Sequence, residues 1–130
     1  MIPPWLPSDN LSAAAILFFA FIIGHALGDY PLQTDFMARG KNRHLPQICE
    51  ELPVRGLWVY LMTAHALTHA GIVWILSGCP LLAVGELVLH WTIDWLKVER
   101  KINFHLDQTM HILCKAAYVA ILLATRTSAT

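Results

Sequence analysis

The 130-residue chain predicts an all-α integral membrane protein, one domain folded as a four-helix bundle with four transmembrane helices. Three observations carry that prediction. The composition is 56% hydrophobic and 14% charged, with mean hydropathy +0.51, against about 25% charged in a soluble domain. The apolar residues gather into four long runs separated by short polar or turn-forming segments. Each run carries a His/Asp or His/His pair four residues apart, a spacing that stacks both side chains on one helix face.

The first run starts after Pro3, Pro4 and Pro7, which hold the lead-in extended, and after Ser8, Asp9 and Asn10, any of which can cap a helix. Met1–Asn10 has no Lys or Arg and the apolar run behind it is too long for a signal peptide, so it is expected to stay as a membrane helix. From Leu11 to Asp29 there is no charge until the last residue. Nineteen residues at about 1.5 Å each just cover a hydrocarbon core of about 30 Å. Pro31 disfavours helix at Tyr30 and ends the run.

Tyr30–Pro53 is the polar part of the chain, where Thr34 or Asp35 can cap a short surface helix that Gly40 closes. Val54–Ser77 is the second expected span. Gly78 and Pro80 mark a tight turn, with Pro80 suited to the first turn of the third span, Pro80–Lys97. A charged turn with Glu99, Arg100 and Lys101 leads to the fourth, His105–Thr125, and a Thr/Ser tail. Cys49, Cys79 and Cys114 share no short spacing and read as small apolar fillers.

Basic residues orient the chain. Arg39, Lys41, Arg43 and Arg55 flank the first long loop, and Lys97, Arg100 and Lys101 the last one. The N-terminus and the Gly78–Pro80 turn have none, so both termini are expected outside and both basic loops in the cytoplasm. Zero net charge gives no field for nucleic acid.

The four pairs are His25/Asp29, His65/His69, His90/Asp94 and Asp107/His111. With seven His and nine acids, roughly two such pairs arise by chance. Their distribution, one in each apolar run, is the stronger signal. On the expected orientation, three pairs fall in the cytoplasmic third, and His65/His69 come out deeper if the second span starts at Val54. Imidazole plus carboxylate suits zinc first, and manganese or iron as well. Eight ligand side chains are too many for one tetrahedral ion and suit two divalent ions bridged by a carboxylate. Glu86 lies one turn from His90 on the same face, open to use as a supporting group, a general base or an interfacial residue. Gln33, Lys41, Lys97 and Gln108 gather at the cytoplasmic border, where snorkelling explains the lysines, and steering of an anionic head group is the sharper alternative.

The segments HALGDYPLQTDFMARGK (His25 to Lys41), HALTH (His65 to His69), HWTIDWLK (His90 to Lys97) and LDQTMH (Leu106 to His111) resemble domain of unknown function 3307. That is a family of small multi-spanning proteins of bacteria and their phages. Pro31 stands where that pattern leads one to expect a bulky apolar residue. More distantly the chain is similar to membrane-bound metal-dependent hydrolases, also small helical proteins with intramembrane His and Asp. The resemblance implies a bacterial inner membrane and supports a metal site; it supplies no substrate.

The function expected from these residues is an intramembrane metal-dependent hydrolase near the cytoplasmic face, acting on a phosphate-containing lipid. Its metal ligands are His25, Asp29, His65, His69, His90, Asp94, Asp107 and His111, with Glu86 or Asp94 as general base. A metal-ion or proton transporter is the first alternative, although it asks for polar residues through the full thickness, and the outer half has only Ser12, Ser77 and Glu86. A non-catalytic membrane protein whose pairs are interhelical hydrogen bonds is the second. A chain this short buries little surface alone, so a homodimer is a reasonable assembly.

Overall fold

The computed structural model describes residues 7, 9–45 and 55–127. The expected capping by Ser8, the Val54 start, Cys49 and the end of the Thr/Ser tail lie outside them. Five helices follow in order: α1 (Asn10–Asp29), α2 (Asp35–Gly40), α3 (Leu57–Ser77), α4 (Pro80–Val98) and α5 (Phe104–Thr127).

The helix ends follow local chemistry. Asp9 caps α1 by accepting from the Ser12 N–H at 2.8 Å. Hydrogen bonding from the Ser12 hydroxyl, and then from this N–H, holds its carboxyl below the usual range. Tyr30 terminates the helix in front of Pro31. Thr34 caps α2 through its hydroxyl, which accepts from the Met37 N–H. Gly78, at φ +66°, ends α3, and Pro80 opens α4 two residues later. After α4 the Lys101 N–H returns to the Leu96 carbonyl. This closure puts Arg100 at φ +57°, where glycine is the usual occupant. Asn103 then caps α5 by accepting from the Leu106 N–H at 2.9 Å.

The four long helices form a ring in which α1 packs on α3, α3 on α4, α4 on α5 and α5 back on α1. One end of the bundle is apolar. Leu17, Phe21, Val73, Leu82, Tyr118, Val119 and Leu122 are buried there, with Cys79 and Cys114 half-buried against them. Phe21 meets Tyr118 edge-on at 6.2 Å. The other end is polar and carries the site.

Among the described residues, three helices are long and apolar enough to cross a membrane: Asn10–Asp29, Leu57–Ser77 and Phe104–Arg126, with mean hydropathies of 2.1, 1.4 and 1.3. The expectation of four is corrected to three on this measure. The exception is α4, 19 residues long, which carries Glu86, Asp94 and Lys97.

The loop after α2 is tied back to the end of α4. Arg43 forks onto Glu99 with contacts of 2.7 and 2.8 Å, and His44 reaches the same carboxylate at 3.2 Å. The guanidinium holds Glu99 below the ordinary glutamate range.

Candidate metal centre

Helical periodicity puts the pairs on inward faces, and the ring of helices brings those faces together. His25, His65, His69, His90, Asp94, Asp107 and His111 are all buried, and Asp29 is half-buried. The observed start of α3 at Leu57 puts His65 in its third turn, level with the other pairs, so the depth mismatch expected from a Val54 start does not arise. The His69 and His90 rings stack at 3.7 Å, and His90 lies 4.2 Å from His111.

Among the described residues, two groups of donor atoms converge closely enough that each could hold a metal ion: Asp29, His65, His69 and His90, and then His90, Asp94 and His111. In the first group Asp29 Oδ1 lies 3.1 Å from His69 Nε2 and 3.4 Å from His65 Nε2. His65 Nε2 lies 3.2 Å from His90 Nε2. A tetrahedral ion with donors at about 2.0–2.1 Å has donor–donor edges of about 3.3 Å. These three separations match such edges, and all four donors lie within 4.8 Å of one another.

Hydrogen bonding within the protein leaves this cluster incomplete. His69 Nε2, His111 Nε2 and Asp107 Oδ1 are buried 3.1–3.6 Å from polar neighbours but out of hydrogen-bond alignment with them. Buried polar atoms in that condition are scarce in folded proteins. Two of the three belong to imidazoles aimed into the centre.

The other expected ligands stand at its edge. Gln108 takes up His25, its Oε1 accepting from His25 Nε2 at 3.3 Å. The Gln108 amide donates to Asp29 Oδ2 and Asp107 Oδ2, each at 3.1 Å. Lys97 Nζ donates to Asp107 Oδ2 at 2.7 Å. His25 and Asp107 therefore fall outside both donor groups. His44 and His105 are exposed, in keeping with a surface role for both.

Lys41 departs from the border reading. Its ammonium is buried and donates to Asp94 Oδ2 at 2.6 Å and to Gln33 Oε1 at 2.9 Å. It is an internal counter-ion delivered by the chain leaving α2. Lys115 is a charged residue that the His/Asp pairs do not flag. It is 1% exposed, and its ammonium donates to Glu86 Oε1 at 2.5 Å. The signal for it is spacing, since Asp107, His111 and Lys115 continue one stripe four residues at a time. In antiparallel α5 that stripe faces Asp94, His90 and Glu86 of α4.

Gly28 makes room for the donors. A methyl group there would collide with the His69 ring. Gly24, one turn earlier, does the same for Ile72. The small residues of the GHALG segment thus seat α3 against α1 within one chain.

A cavity of about 270 Å³ opens beside the centre, lined by Asp29, Tyr30, Gln33, Lys41, Lys97 and Gln108 among others. It gives Asp29 contact with the outside while the imidazoles stay covered.

No curated protein and no solved structure matches the chain, so the distant likeness to metal-dependent hydrolases gains no support from relatives. The profile of one family, described as protein of unknown function (DUF3307), matches residues 17–130. That match takes in all four pairs, Glu86 and Lys115, and the chain belongs to this family.

Proposed function

We propose that the chain is a membrane-embedded metal-dependent hydrolase whose centre binds one divalent ion, zinc by preference, through Asp29, His65, His69 and His90. The observation that carries this reading is the convergence of those four donors within 4.8 Å of one another, three of their separations at tetrahedral-edge length, with His69 Nε2 facing Asp29 Oδ1 at 3.1 Å but out of hydrogen-bond alignment. Bound there, a divalent ion supplies Lewis acidity toward a phosphoryl or acyl oxygen and acidifies water.

One ion replaces the two expected from the ligand tally, for two reasons. Both donor groups draw on His90, whose Nδ1 is already taken by Glu86 at 3.1 Å, so one nitrogen remains. The charge count agrees. The carboxylates of Asp29, Glu86, Asp94 and Asp107 face the ammonium groups of Lys41, Lys97 and Lys115, which with neutral imidazoles leaves a single negative charge. One divalent ion turns that to a single positive charge, suited to an anionic substrate; two would leave three positive charges buried.

In this reading α4 is the fourth span. Its charged residues Glu86 and Asp94 are turned inward, and its outer face presents Leu81, Val84, Val88 and Leu89 to lipid. The excess of Lys and Arg in the two basic loops supports a cavity at the cytoplasmic border of an inner membrane, with both termini outside. The cavity sits at head-group level there, which favours a phosphate-containing lipid. Asp94, covered but joined to the cavity-lining Lys41 and facing His111 Nε2 at 3.5 Å, is the carboxylate assigned as proton acceptor in this reading. Glu86 is remote from the cavity lining and does not serve as base. A transporter is disfavoured by the apolar half of the bundle, which sets Leu17, Phe21, Val73 and Leu122 across any path.

The test is elemental analysis of detergent-purified protein beside His90→Ala, Asp29→Ala and His44→Ala. One ion per chain is expected in the wild type and in His44→Ala, with loss in the other two. Equal metal in all four, or none in the wild type, overturns the centre. Phosphate release from a phosphorylated lipid, absent in Asp29→Ala, then tests the hydrolase reading.

A further inference from the structure

The metal centre accounts for His90 Nε2 but not for what lies behind the ring. Glu86 is 1% exposed, on the side of His90 away from the cavity. Its Oε1 accepts from His90 Nδ1 at 3.1 Å and from Lys115 Nζ at 2.5 Å. Lys115, itself 1% exposed, lies 5.6 Å over the Tyr118 ring. A charged pair this deep in the membrane is costly to assemble, and an apolar pair of similar volume would pack there at no loss. The geometry says what the pair does.

A neutral imidazole has one N–H and one lone pair. A carboxylate can only accept, so Glu86 requires the proton on His90 Nδ1. The lone pair then sits on Nε2, the atom that converges with His65, His69 and Asp29. We propose that Glu86 is a positioning residue that sets the tautomer and ring orientation of His90, and that Lys115 clamps Glu86 in place from α5. The link is the carboxylate–histidine–metal arrangement in general form. It rests on the metal-centre reading above. It also assigns α5 a part in the centre through a residue that touches no donor, because Lys115 reaches His90 only through Glu86.

Two double variants separate the acceptor from the charge. Glu86→Gln/Lys115→Met keeps a carbonyl oxygen for His90 Nδ1–H and removes both charges. Glu86→Leu/Lys115→Met removes the acceptor as well. Neither leaves a lone buried charge, so both are suited to fold. Cobalt(II) is the probe, read by its ligand-field absorption and by competition with a chromophoric chelator in detergent. The Gln/Met protein is expected to keep the wild-type spectrum. The Leu/Met protein is expected to bind about 10- to 100-fold more weakly than the Gln/Met protein, with an altered spectrum. Equal affinity and identical spectra for the two doubles overturn the role of Glu86 and leave the centre standing. Failure of the wild type to take up cobalt overturns the centre itself. A Leu/Met protein that fails to elute as a monodisperse peak while the Gln/Met protein does also overturns the proposal, since the acceptor is then needed for folding rather than for His90.

Discussion

Toward Asn10, α1 buries Ala13, Leu17 and Phe21; toward Asp29 it buries Gly24, His25 and Gly28. The same change runs along α4, from Leu82 and Ala83 to Glu86, His90 and Asp94, and along α5, from Leu122 and Tyr118 to Lys115, His111 and Asp107. One bundle thus has two interiors. In a membrane the apolar half gains nothing over lipid by transfer and is held by packing alone. The polar half pays a desolvation penalty that only tight pairing offsets. The difference teaches that stability and chemistry have been divided between the two ends of the same helices, so that substitutions in each half should report on different properties.

The sharpest contrast comes from Phe21, which is fully buried against Tyr118. Phe21→Ala is expected to lower unfolding stability by about 3 kcal/mol and to leave metal affinity of the folded protein unchanged. Chemical denaturation in mixed micelles, beside a chelator titration, checks both halves of that statement. A large fall in metal affinity would mean that the two interiors are not separable.

Gly28→Ala should do the opposite. The added methyl displaces the His69 ring, the movable partner, so stability changes little while zinc affinity falls about a hundredfold, or about 2.7 kcal/mol. Unaltered affinity would remove His69 from the ligand set.

Smaller again is the effect of exchanging the buried ion pair for apolar side chains. Glu86→Leu/Lys115→Met is expected to raise the stability of the metal-free protein by about 1–2 kcal/mol, since hydrophobic replacement of a buried pair is often neutral or favourable. A clear loss would show that the polar half also holds the bundle together. The smallest effect lies outside both interiors. Arg100→Gly relieves a left-handed residue after α4 and should add about 0.5–1 kcal/mol, read as a higher melting temperature with unchanged metal content.

Much of this could be read from the residues in order. Apolar length located the four long helices, Pro31 and the Gly78–Pro80 turn located their ends, and i,i+4 spacing located the pairs. Each of those signals is local, and local chemistry decided the outcome. What escaped was long-range. Lys41 joins Asp94 across 53 positions, so border snorkelling was the natural reading until the chain after α2 folded inward. Lys115 formed no His/Asp pair and drew no notice, although it extended the Asp107–His111 stripe by one step. Counting ligands without their lysines suggested two ions; with the lysines counted, the proposed charge balance is met by one. The withdrawal of His25 and Asp107 to the edge was equally illegible, because it depends on Gln108, a residue with no charge to mark it.

The two-residue turn between α3 and α4 also bears on how the protein is made. On the proposed four-span reading, so short a connection would let the two helices enter the membrane as a hairpin, carrying His65, His69 and His90 together. Asp29 precedes them on α1. All four proposed ligands are therefore synthesised before α5 leaves the ribosome, and Glu86 is inserted before its partner Lys115 exists. The arrival of α5 then brings Lys115, the counter-charge to Glu86. A nascent chain halted before Phe104 would carry every proposed ligand and still lack the clamp behind His90.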